Sequence, residues 1–472
     1  MARENFQYFS MSNVSSFKFI APNDGSMGIP NSSQTNQKAE DHIELGYAND
    51  FIKESDLDTS SSDIKETDRH GTILSGFSVI LKSMIGSGIF GMARACSKFG
   101  IISAVLFLIL AAAITWVSLR ALSILALDYR RENPSFYSVS ERILPRARWV
   151  LDTALIINCL GAAIVYVQTA GTLMAYAIVA IFGSHTALEQ SHIAMLVQAI
   201  MVVSLTPLCM MKEITSTQIA NLIGLGCLLY IFIMTFFYTP LTAASPALLY
   251  PGDGALVAFG SFPTFIFAFT CQQNMFVVAN ELKNATLPRL NAVGASATLT
   301  GFLVYMPMML VPFLTFGMAT KSNYLYNLVN PDGSVDVPII IAFVLASISV
   351  SISFVLQVHP IRRSVVSLIF ASQRLEGKKE KTVRMAVVSA ILLIAFGLAL
   401  GFGDDLSIPI NVAGLLGGNT MSYVMPCSLF LAKYGLKKDM FSITILAVLV
   451  FSLALYPICL TGIIYDAIIS RQ

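Results

Sequence analysis

The chain has 472 residues, of which 55% are hydrophobic and 12% are charged, and its formal net charge is +2 at pH 7. Soluble globular proteins usually contain about 25% charged residues, so this composition excludes an ordinary soluble domain. Apolar runs of about 20 residues, the length that crosses a bilayer as a helix, recur from Thr72 to Tyr465. The sequence therefore predicts an all-α integral membrane protein that crosses the lipid bilayer many times.

The N-terminal segment, residues 1–70, is polar, rich in Ser, Asn and Asp, and has no periodic apolar face. A segment that cannot bury enough apolar surface stays disordered, so we interpret residues 1–70 as a disordered cytosolic tail. We predict that residues 71–465 form the membrane domain. Residues 466–472 are then a short extracellular or lumenal C-terminus.

The first apolar run is interrupted by closely spaced glycines, Gly86, Gly88 and Gly91. Glycine weakens a helix and leaves the backbone open to other partners. In lipid, non-helical backbone must be satisfied by protein, water or a ligand, and broken helices at membrane depth typically form the substrate sites of secondary transporters. Lys82 precedes the break by about one turn, and ionisable residues within the bilayer are costly and usually functional.

The apolar runs predict eleven spans, centred at about residues 86, 114, 165, 201, 228, 269, 302, 348, 393, 420 and 452. Lysine and arginine crowd into alternate loops between these spans. Because cytosolic loops carry an excess of these residues, we predict a cytosolic N-terminus. A different number of internal spans would place basic loops on both sides of the membrane.

The sixth span is predicted to repeat the interruption of the first. An offset of about 180 residues between the first and sixth spans places the second break near position 270. The polar residues that interrupt the apolar run there are Thr270, Gln272, Gln273 and Asn274. An odd number of spans per repeat reverses topology, so five plus five spans predict an inverted repeat, with the eleventh span outside it.

Patterns of other functional classes are missing from the sequence. The five histidines are scattered, and no Ser/His/Asp set, metal-ligand cluster or nucleotide-binding loop occurs. We therefore predict that the chain is not an enzyme, has no cofactor or metal, and binds no nucleic acid. A channel is possible in principle, although no pore-loop pattern is present.

Several segments resemble one transporter family in the correct order. Residues 81–91, LKSMIGSGIFG, resemble the first-span signature of the amino acid/auxin permease family, especially its proton-coupled and fungal vacuolar members. Residues 267–271, followed by 280–282, resemble the sixth span of the sodium-coupled neutral amino acid transporters. Further similar segments are 207–224, 313–317 and 360–365. The resemblance covers about residues 72–465 and implies a LeuT-like fold with broken helices 1 and 6.

Two positions depart from the family pattern. The family usually has a proline shortly after the glycine motif, where this chain has Ala93. A histidine is common after the sixth-span cysteine, where this chain has Gln272. These differences concern the substrate and the coupling ion rather than the fold.

The resemblance implies an L-α-amino acid as substrate, and the two breaks suit such a ligand. Free N–H groups at the start of a half-helix favour a carboxylate, and exposed carbonyls accept hydrogen bonds from an ammonium group. The predicted contacts at the first break are Gly86, Ser87, Gly88, Ile89 and Phe90. Those at the second break and in other spans are Phe267, Ala268, Phe269, Tyr166 and Asn419. The alternative is that the glycines serve close helix packing alone.

Lys82 aligns with an asparagine thought to help bind Na⁺ in the sodium-coupled members, and Ser351 and Ser353 align with the other half of that site. An ammonium group at this position replaces the charge of Na⁺, and desolvation makes such a group titratable. The resemblance thus leads us to predict sodium-independent transport, either coupled to protons or facilitative. The alternatives are a structural lysine and a sodium-coupled symporter.

A gate is predicted at the end of the first span. Arg94 and Lys98 lie four residues apart and share one helix face, while Asp404 and Asp405 lie in the short loop before the tenth span. We predict that Arg94 pairs with Asp404 or Asp405 to close the site. The alternatives are an interfacial basic pair and an arginine that attracts an acidic substrate.

Together these features predict a secondary transporter that moves amino acids by alternating access, with the proton as a possible coupling ion. The predicted location is the plasma membrane or a vacuolar or lysosomal membrane. The alternative from another class is an amino acid sensor, or transceptor, that signals through the N-terminal tail.

Overall fold

The computed structural model describes residues 69–86, 88–130, 134–183, 187–211, 217–239, 254–330, 334–369 and 377–469. Most of the predicted tail (1–68), Ser87 and the C-terminal residues 470–472 lie outside the described residues. The regular structure of the described ranges is helical, apart from an isolated bridge between Gly71 and Leu282. The class predicted from composition, an all-α protein, is confirmed for this part of the chain.

The first two helices form a bent pair. Helix α1 (Ile73–Met84) begins with a reciprocal cap, in which Thr72 Oγ1 accepts from the Ser75 amide and Ser75 Oγ accepts from the Thr72 amide. Such a cap satisfies two amide groups, one of them an N–H that the helix start leaves without a partner. Helix α2 (Gly88–Phe99) follows at an angle of 56° to α1.

Thirteen further helices follow within the described ranges. The first eight are α3 (Ile101–Asp128), α4 (Phe136–Ile143), α5 (Ala147–Phe182), α6 (Ala187–Met210), α7 (Thr217–Tyr238), α8 (Ala255–Ala268), α9 (Asn274–Glu281) and α10 (Leu287–Phe316). The others are α11 (Val337–Ile369), α12 (Gly377–Phe402), α13 (Ser407–Val412), α14 (Met425–Tyr434) and α15 (Met440–Ile469). Two short 3₁₀ turns, Gly317–Ala319 and Tyr324–Leu328, lie between α10 and α11, and two π-helical segments, Ala413–Gly418 and Thr420–Val424, join α13 to α14.

Seven helices of the described ranges are long and apolar enough to cross a membrane, or eight if α1 and α2 form one bent span. The chain is therefore a multi-pass membrane protein. The remaining predicted spans fall on shorter or interrupted helices. They are centred in α7, in the gap between α8 and α9, and in the π-helical connection between α13 and α14.

The most extensive contact between two helices of the described ranges joins α5 and α11. Polar side chains fix the register of the two helices at both ends of this contact. Ser347 donates to the Ala170 carbonyl over 3.1 Å, and Ser364 donates to the buried Asp152 carboxylate over 2.7 Å. Because buried polar groups are costly without partners, these bonds disfavour any sliding of one helix along the other.

The two interrupted helix pairs, α1/α2 and α8/α9, lie side by side. Helix α2 packs against α8, and α10 covers both α1 and α2. At one end of the assembly, the Gly71 amide donates to the Glu281 carbonyl over 3.0 Å and the Lys283 amide donates to the Gly71 carbonyl over 2.9 Å. These two bonds join the start of α1 to the end of α9.

Candidate functional site: two helix breaks and a charged cavity

The gap in the second pair begins where α8 ends at Ala268 and finishes where α9 begins at Asn274. The side chains in the gap satisfy polar backbone groups in the last turn of α8 and in the gap itself. Thr270 donates to the Ile266 carbonyl over 2.8 Å, and the Gln272 side-chain oxygen accepts from the Cys271 amide over 2.8 Å. Both side chains are buried, so this non-helical segment is enclosed by protein.

The gap in the first pair is packed directly against the second. Helix α1 ends at Met84, Ile85 is extended, and α2 begins at Gly88. A Cβ atom on Gly88 would lie 2.9 Å from the Ala268 Cβ and 3.0 Å from the Ala268 Cα. Only glycine permits this approach, so the start of α2 and the end of α8 touch at their backbones.

Tyr305 of α10 joins the ends of α1 and α8. Its hydroxyl lies within hydrogen-bonding distance of the Met84 carbonyl and lies 2.9 Å from the Ala268 carbonyl, while its ring meets the Phe269 ring edge-to-face with centroids 5.3 Å apart. The side chain is fully buried. Carbonyls at a helix C-terminus carry partial negative charge, so two negative helix ends converge on one phenol.

Four predicted contact residues meet around this point: Gly86, Gly88, Tyr166 and Ala268. A Cβ atom on Gly86 would lie 3.4 Å from the Tyr166 hydroxyl, and Tyr166 of α5 is buried. Ile89, Phe90 and Phe269 are buried beside the same gaps. The Phe267 carbonyl accepts from the Thr270 amide over 3.3 Å, so one of the predicted carbonyls already has a donor.

Asn419 lies between the two π-helical segments that join α13 to α14, and its side chain contacts α15. Its side-chain amide donates to the Ser452 carbonyl of α15 over 2.9 Å, and the residue is fully buried. The structure therefore places this predicted contact residue against α15. Ser87, predicted at the first break, is outside the described residues.

The predicted coupling residues lie on two helices. Lys82 is half-buried two residues before the end of α1. On α11, Ser351 donates to the Ser347 carbonyl over 2.6 Å and Ser353 donates to the Ser349 carbonyl over 3.0 Å. Within the described ranges no hydrogen bond joins Lys82 to either hydroxyl, and both hydroxyls keep acceptor capacity for another group.

A cavity of about 480 Å³ lies at the C-terminal end of α2, and we call it the charged cavity. It is lined by residues of α2, α5, α8, α13 and α15, and by the connections before α11 and α13. The structure brings all three predicted gate residues to its wall. Its charged lining residues are Arg94, Lys98, Lys321, Asp404, Asp405 and Asp466.

The gate residues each have a neutral partner in this structure. Arg94 donates to the Thr320 carbonyl over 3.0 Å. Asp404 accepts from the Thr172 hydroxyl over 2.8 Å, and Asp405 accepts from the Ser407 amide over 2.8 Å. Within the described part of the chain, no ion pair joins Arg94 to either aspartate.

Tyr326 completes the wall beside Asp404. Burial, together with the nearby Asp404 carboxylate, raises the pKa of the Tyr326 phenol. The phenol therefore stays protonated at physiological pH and contributes a neutral surface to the cavity.

Sequence analysis did not identify Tyr305 or Thr172 as site residues. Each is a polar side chain within an apolar helix, and Tyr305 is the only tyrosine of α10. That signal alone is weak because ordinary interhelical hydrogen bonds use the same residue types. The contact with two helix ends depends on how α10 packs.

Comparisons with known proteins cover nearly all of the described chain. Residues 69–469 match the family model described as "Transmembrane amino acid transporter protein". Vacuolar amino acid transporter 5 of Schizosaccharomyces pombe is 26% identical over 362 residues, which are 74% of this chain and 82% of the relative. Vacuolar amino acid transporter 6 of Saccharomyces cerevisiae is 26% identical over 327 residues, 68% of this chain and 70% of the relative.

Among solved structures, the crystal structure of MhsT in complex with L-phenylalanine superposes with a TM-score of 0.55 at 16% identity. The match covers 84% of this chain and 99% of that chain. At this identity the similarity concerns the fold alone, which is LeuT-like.

Proposed function

The chain belongs to the transmembrane amino acid transporter family, and we propose that it is a secondary transporter that moves amino acids across a membrane by alternating access. The observation that carries the proposal is the convergence of the Met84 and Ala268 carbonyls on Tyr305, beside the start of α2 at Gly88. Two negative helix ends suit a ligand's ammonium group, and a positive helix start suits its carboxylate.

The finer architecture that we propose is an inverted repeat of five plus five spans followed by an eleventh. In this scheme α1 with α2 is the first span and α8 with α9 is the sixth. Both interruptions lie at equivalent positions of their repeats, which supports the scheme, and the LeuT-like fold of MhsT agrees with it.

We propose sodium-independent transport, with Lys82 supplying the positive charge that Na⁺ supplies elsewhere. The half-buried position of Lys82 near the first break supports this role. The names of the fungal relatives support a vacuolar membrane as the location. We propose a cytosolic N-terminus because lysine and arginine crowd into alternate loops. A proton gradient across that membrane is then the natural source of energy for coupled transport.

The gate is proposed to close when Arg94 leaves the Thr320 carbonyl and pairs with Asp404 or Asp405. All three side chains line the charged cavity, so closure requires a movement of α2 towards the loop before α13. An ion pair shielded from water is stronger than an exposed one, so closure stabilises the pair.

Uptake into proteoliposomes tests the proposed function. Purified wild type and Lys82→Asn are reconstituted and supplied with a mixture of labelled L-amino acids under imposed Na⁺ or pH gradients. We expect wild-type uptake either to follow the pH gradient or to follow the amino acid gradient alone. In both cases uptake should not depend on Na⁺. We expect Lys82→Asn to acquire Na⁺ dependence, because the sodium-coupled members that the sequence resembles have an asparagine at the aligned position.

The matched control is Lys438→Gln, which removes an exposed lysine between α14 and α15. It should transport like wild type. Wild-type uptake that requires Na⁺ would overturn the role of Lys82, and absence of amino acid uptake under every gradient would overturn transport itself.

A further inference from the structure

Cationic side chains crowd the place where α11 ends and α12 begins. Over residues 362–369 and 377–384, which the structure describes on either side of this connection, Glu380 is the only acidic residue. Six lysines and arginines occupy the same two helix ends. We call these six the basic cluster: Arg362, Arg363, Lys378, Lys379, Lys381 and Arg384.

The packing of α11 on α12 concentrates the charge of the basic cluster. Arg363, Arg384 and Glu380 are all near enough to Arg362 to act on it electrostatically. Glu380 pairs with Arg384 over 3.3 Å, so the carboxylate is already engaged by one of the cations. Because like charges at close range repel one another, the basic cluster favours an anion from outside the chain.

The basic cluster has a fixed base and an open outer face. Arg362 is buried and donates to the carbonyl of Met211, just beyond the end of α6, over 2.7 Å. This bond holds α11 to α6, and α12 packs against both helices. The other side chains include four that are exposed: Arg363, Lys378, Lys379 and Lys381. An approaching anion therefore meets several cations on helices that are already held together.

Neighbouring residues place the basic cluster at the level of the lipid headgroups. Arg148, in the first turn of α5, donates to the Ser367 hydroxyl of α11 over 2.9 Å, one turn after Arg363. The next residue of α5, Trp149, is 57% exposed. Tryptophan is enriched at membrane–water interfaces, and the apolar part of α12 begins directly after the basic cluster. In the orientation proposed above, this interface is the cytosolic one.

We propose that the basic cluster is a binding site for a membrane phospholipid whose headgroup carries more than one phosphate. The phosphates accept hydrogen bonds from the Arg363 guanidinium and the Lys381 ammonium group, since both side chains are exposed beside each other's helix. The acyl chains lie against the exposed apolar side chains of α12, such as Met385. This site is separate from the two helix breaks, and the inference uses the proposed orientation only to choose the leaflet.

The charge of the basic cluster selects a headgroup with several phosphates over a singly charged one. Six cations and one carboxylate leave a net charge of +5 over these residues. A headgroup with one net negative charge leaves most of that repulsion in place, whereas one with two or more phosphates offsets it. Groups of four to eight lysines and arginines at the cytosolic end of membrane helices recognise such lipids in general.

Lipid binding by the full-length purified protein tests the inference. The protein in detergent is titrated with phosphatidylinositol bisphosphate, and native mass spectrometry measures the fraction of chains that keep a lipid. In the double variant Arg363→Gln/Lys381→Gln we expect the dissociation constant to rise at least about tenfold, because each cation near the headgroup adds to the attraction. The lipid should also raise the thermal denaturation midpoint of wild type more than that of the double variant.

The matched control is Lys437→Gln/Lys438→Gln, which removes two exposed cations from the connection between α14 and α15, on the same side in the proposed topology. Its dissociation constant should stay within about twofold of the wild-type value. Equal weakening in both double variants would overturn the site and leave a diffuse attraction between charges.

Two further ligands test the chemistry of the headgroup. Phosphatidylserine should bind at least about tenfold more weakly than phosphatidylinositol bisphosphate, and equal binding would overturn the preference for several phosphates. Soluble inositol trisphosphate should displace the lipid only at a large excess, because it lacks the acyl chains. Displacement at equal concentration would replace the membrane lipid with a soluble phosphate compound as the ligand. Amino acid uptake is not measured in these titrations, so their failure leaves the proposed transport intact.

Discussion

At the scale of single residues, Tyr305 is the most informative side chain of the site. One hydroxyl proton lies between two carbonyl oxygens, those of Met84 and Ala268, in a fully buried setting. The hydroxyl can donate to only one of them at a time, so the cluster is rich in acceptors and poor in donors. In the transport cycle that we propose, an arriving ammonium group would bring the missing donors and so link ligand binding to the relative position of the two half-helices.

Replacement of Tyr305 by phenylalanine should weaken both structure and transport. The Tyr305→Phe variant leaves two buried carbonyls without their donor, at a cost of about 1–3 kcal/mol. We expect a lower thermal denaturation midpoint and a fall in the maximal uptake rate of at least about tenfold, equivalent to about 1.4 kcal/mol in the barrier. Denaturation in detergent and initial uptake rates in proteoliposomes measure the two effects.

The matched control is Tyr324→Phe. Tyr324 is also fully buried, and its hydroxyl bonds to the Thr235 hydroxyl of α7 over 2.7 Å rather than to a carbonyl at either break. It should lose stability while it keeps most of the wild-type uptake rate. Equal loss of transport in both variants would show that Tyr305 acts through general stability alone.

At the scale of helices, the contact between Gly88 and Ala268 joins two half-helices without intervening side chains. Backbones that touch this closely transmit a displacement directly, since there is no flexible side chain to absorb it. Another close contact attaches α15 to α8, because a Cβ atom on Gly462 would lie 2.6 Å from the Gly260 amide nitrogen. With the ion pair of Lys98 and Asp466, this contact ties the last helix to both interrupted pairs.

A single methyl group on Gly88 should obstruct the junction of the two breaks. In Gly88→Ala the new Cβ lies 2.9 Å from the Ala268 Cβ, so α2 and α8 must separate. We expect uptake to fall at least about tenfold even though alanine favours a helix by up to about 1 kcal/mol over glycine. Each uptake rate is divided by the amount of correctly inserted protein, which surface labelling measures.

Gly397→Ala is the control for this substitution. Gly397 lies within α12, and nothing lies within 4 Å of the position that its Cβ would occupy. Its uptake should stay within about twofold of wild type, with stability equal or slightly higher. Normal transport by Gly88→Ala would mean that the two half-helices separate freely during the cycle.

At the scale of the whole molecule, the helices enclose every thiol. All seven cysteines are unpaired and buried: Cys96, Cys159, Cys209, Cys227, Cys271, Cys427 and Cys459. The absence of disulfides agrees with the sequence, in which these residues lie in or beside apolar segments. Close packing rather than cross-linking thus holds the membrane domain together.

Burial predicts that the native thiols resist a membrane-impermeant maleimide. A thiol must reach the reagent before it reacts, and burial inside the helical assembly prevents this. In the reconstituted protein, the mean number of thiols labelled per chain within minutes should be less than about one. After unfolding in sodium dodecyl sulfate, all seven thiols should be labelled. Mass spectrometry counts the adducts.

Lys438→Cys supplies the positive control, since this position is exposed between α14 and α15. One additional thiol should react quickly. Rapid labelling of several native cysteines would contradict a closely packed assembly.

Several features of the fold follow from local sequence. Apolar runs of sufficient length predict membrane helices, and the composition alone excludes a soluble protein. The glycines at 86 and 88 and the polar residues from Thr270 to Asn274 indicate where helices α1 and α8 end. These predictions succeed in outline because helix formation depends on neighbouring residues and on the surrounding lipid.

Other features required the packed structure. The meeting of Met84 and Ala268 at Tyr305 joins residues more than 180 positions apart, and Asn419 faces α15 rather than the breaks. The neutral partners of Arg94 and Asp404 likewise come from distant segments, whereas the partner of Asp405 is the nearby Ser407 amide. Periodicity predicts where a helix lies along the chain, but crossing angles and rotations, which decide these contacts, arise from the fit of whole surfaces.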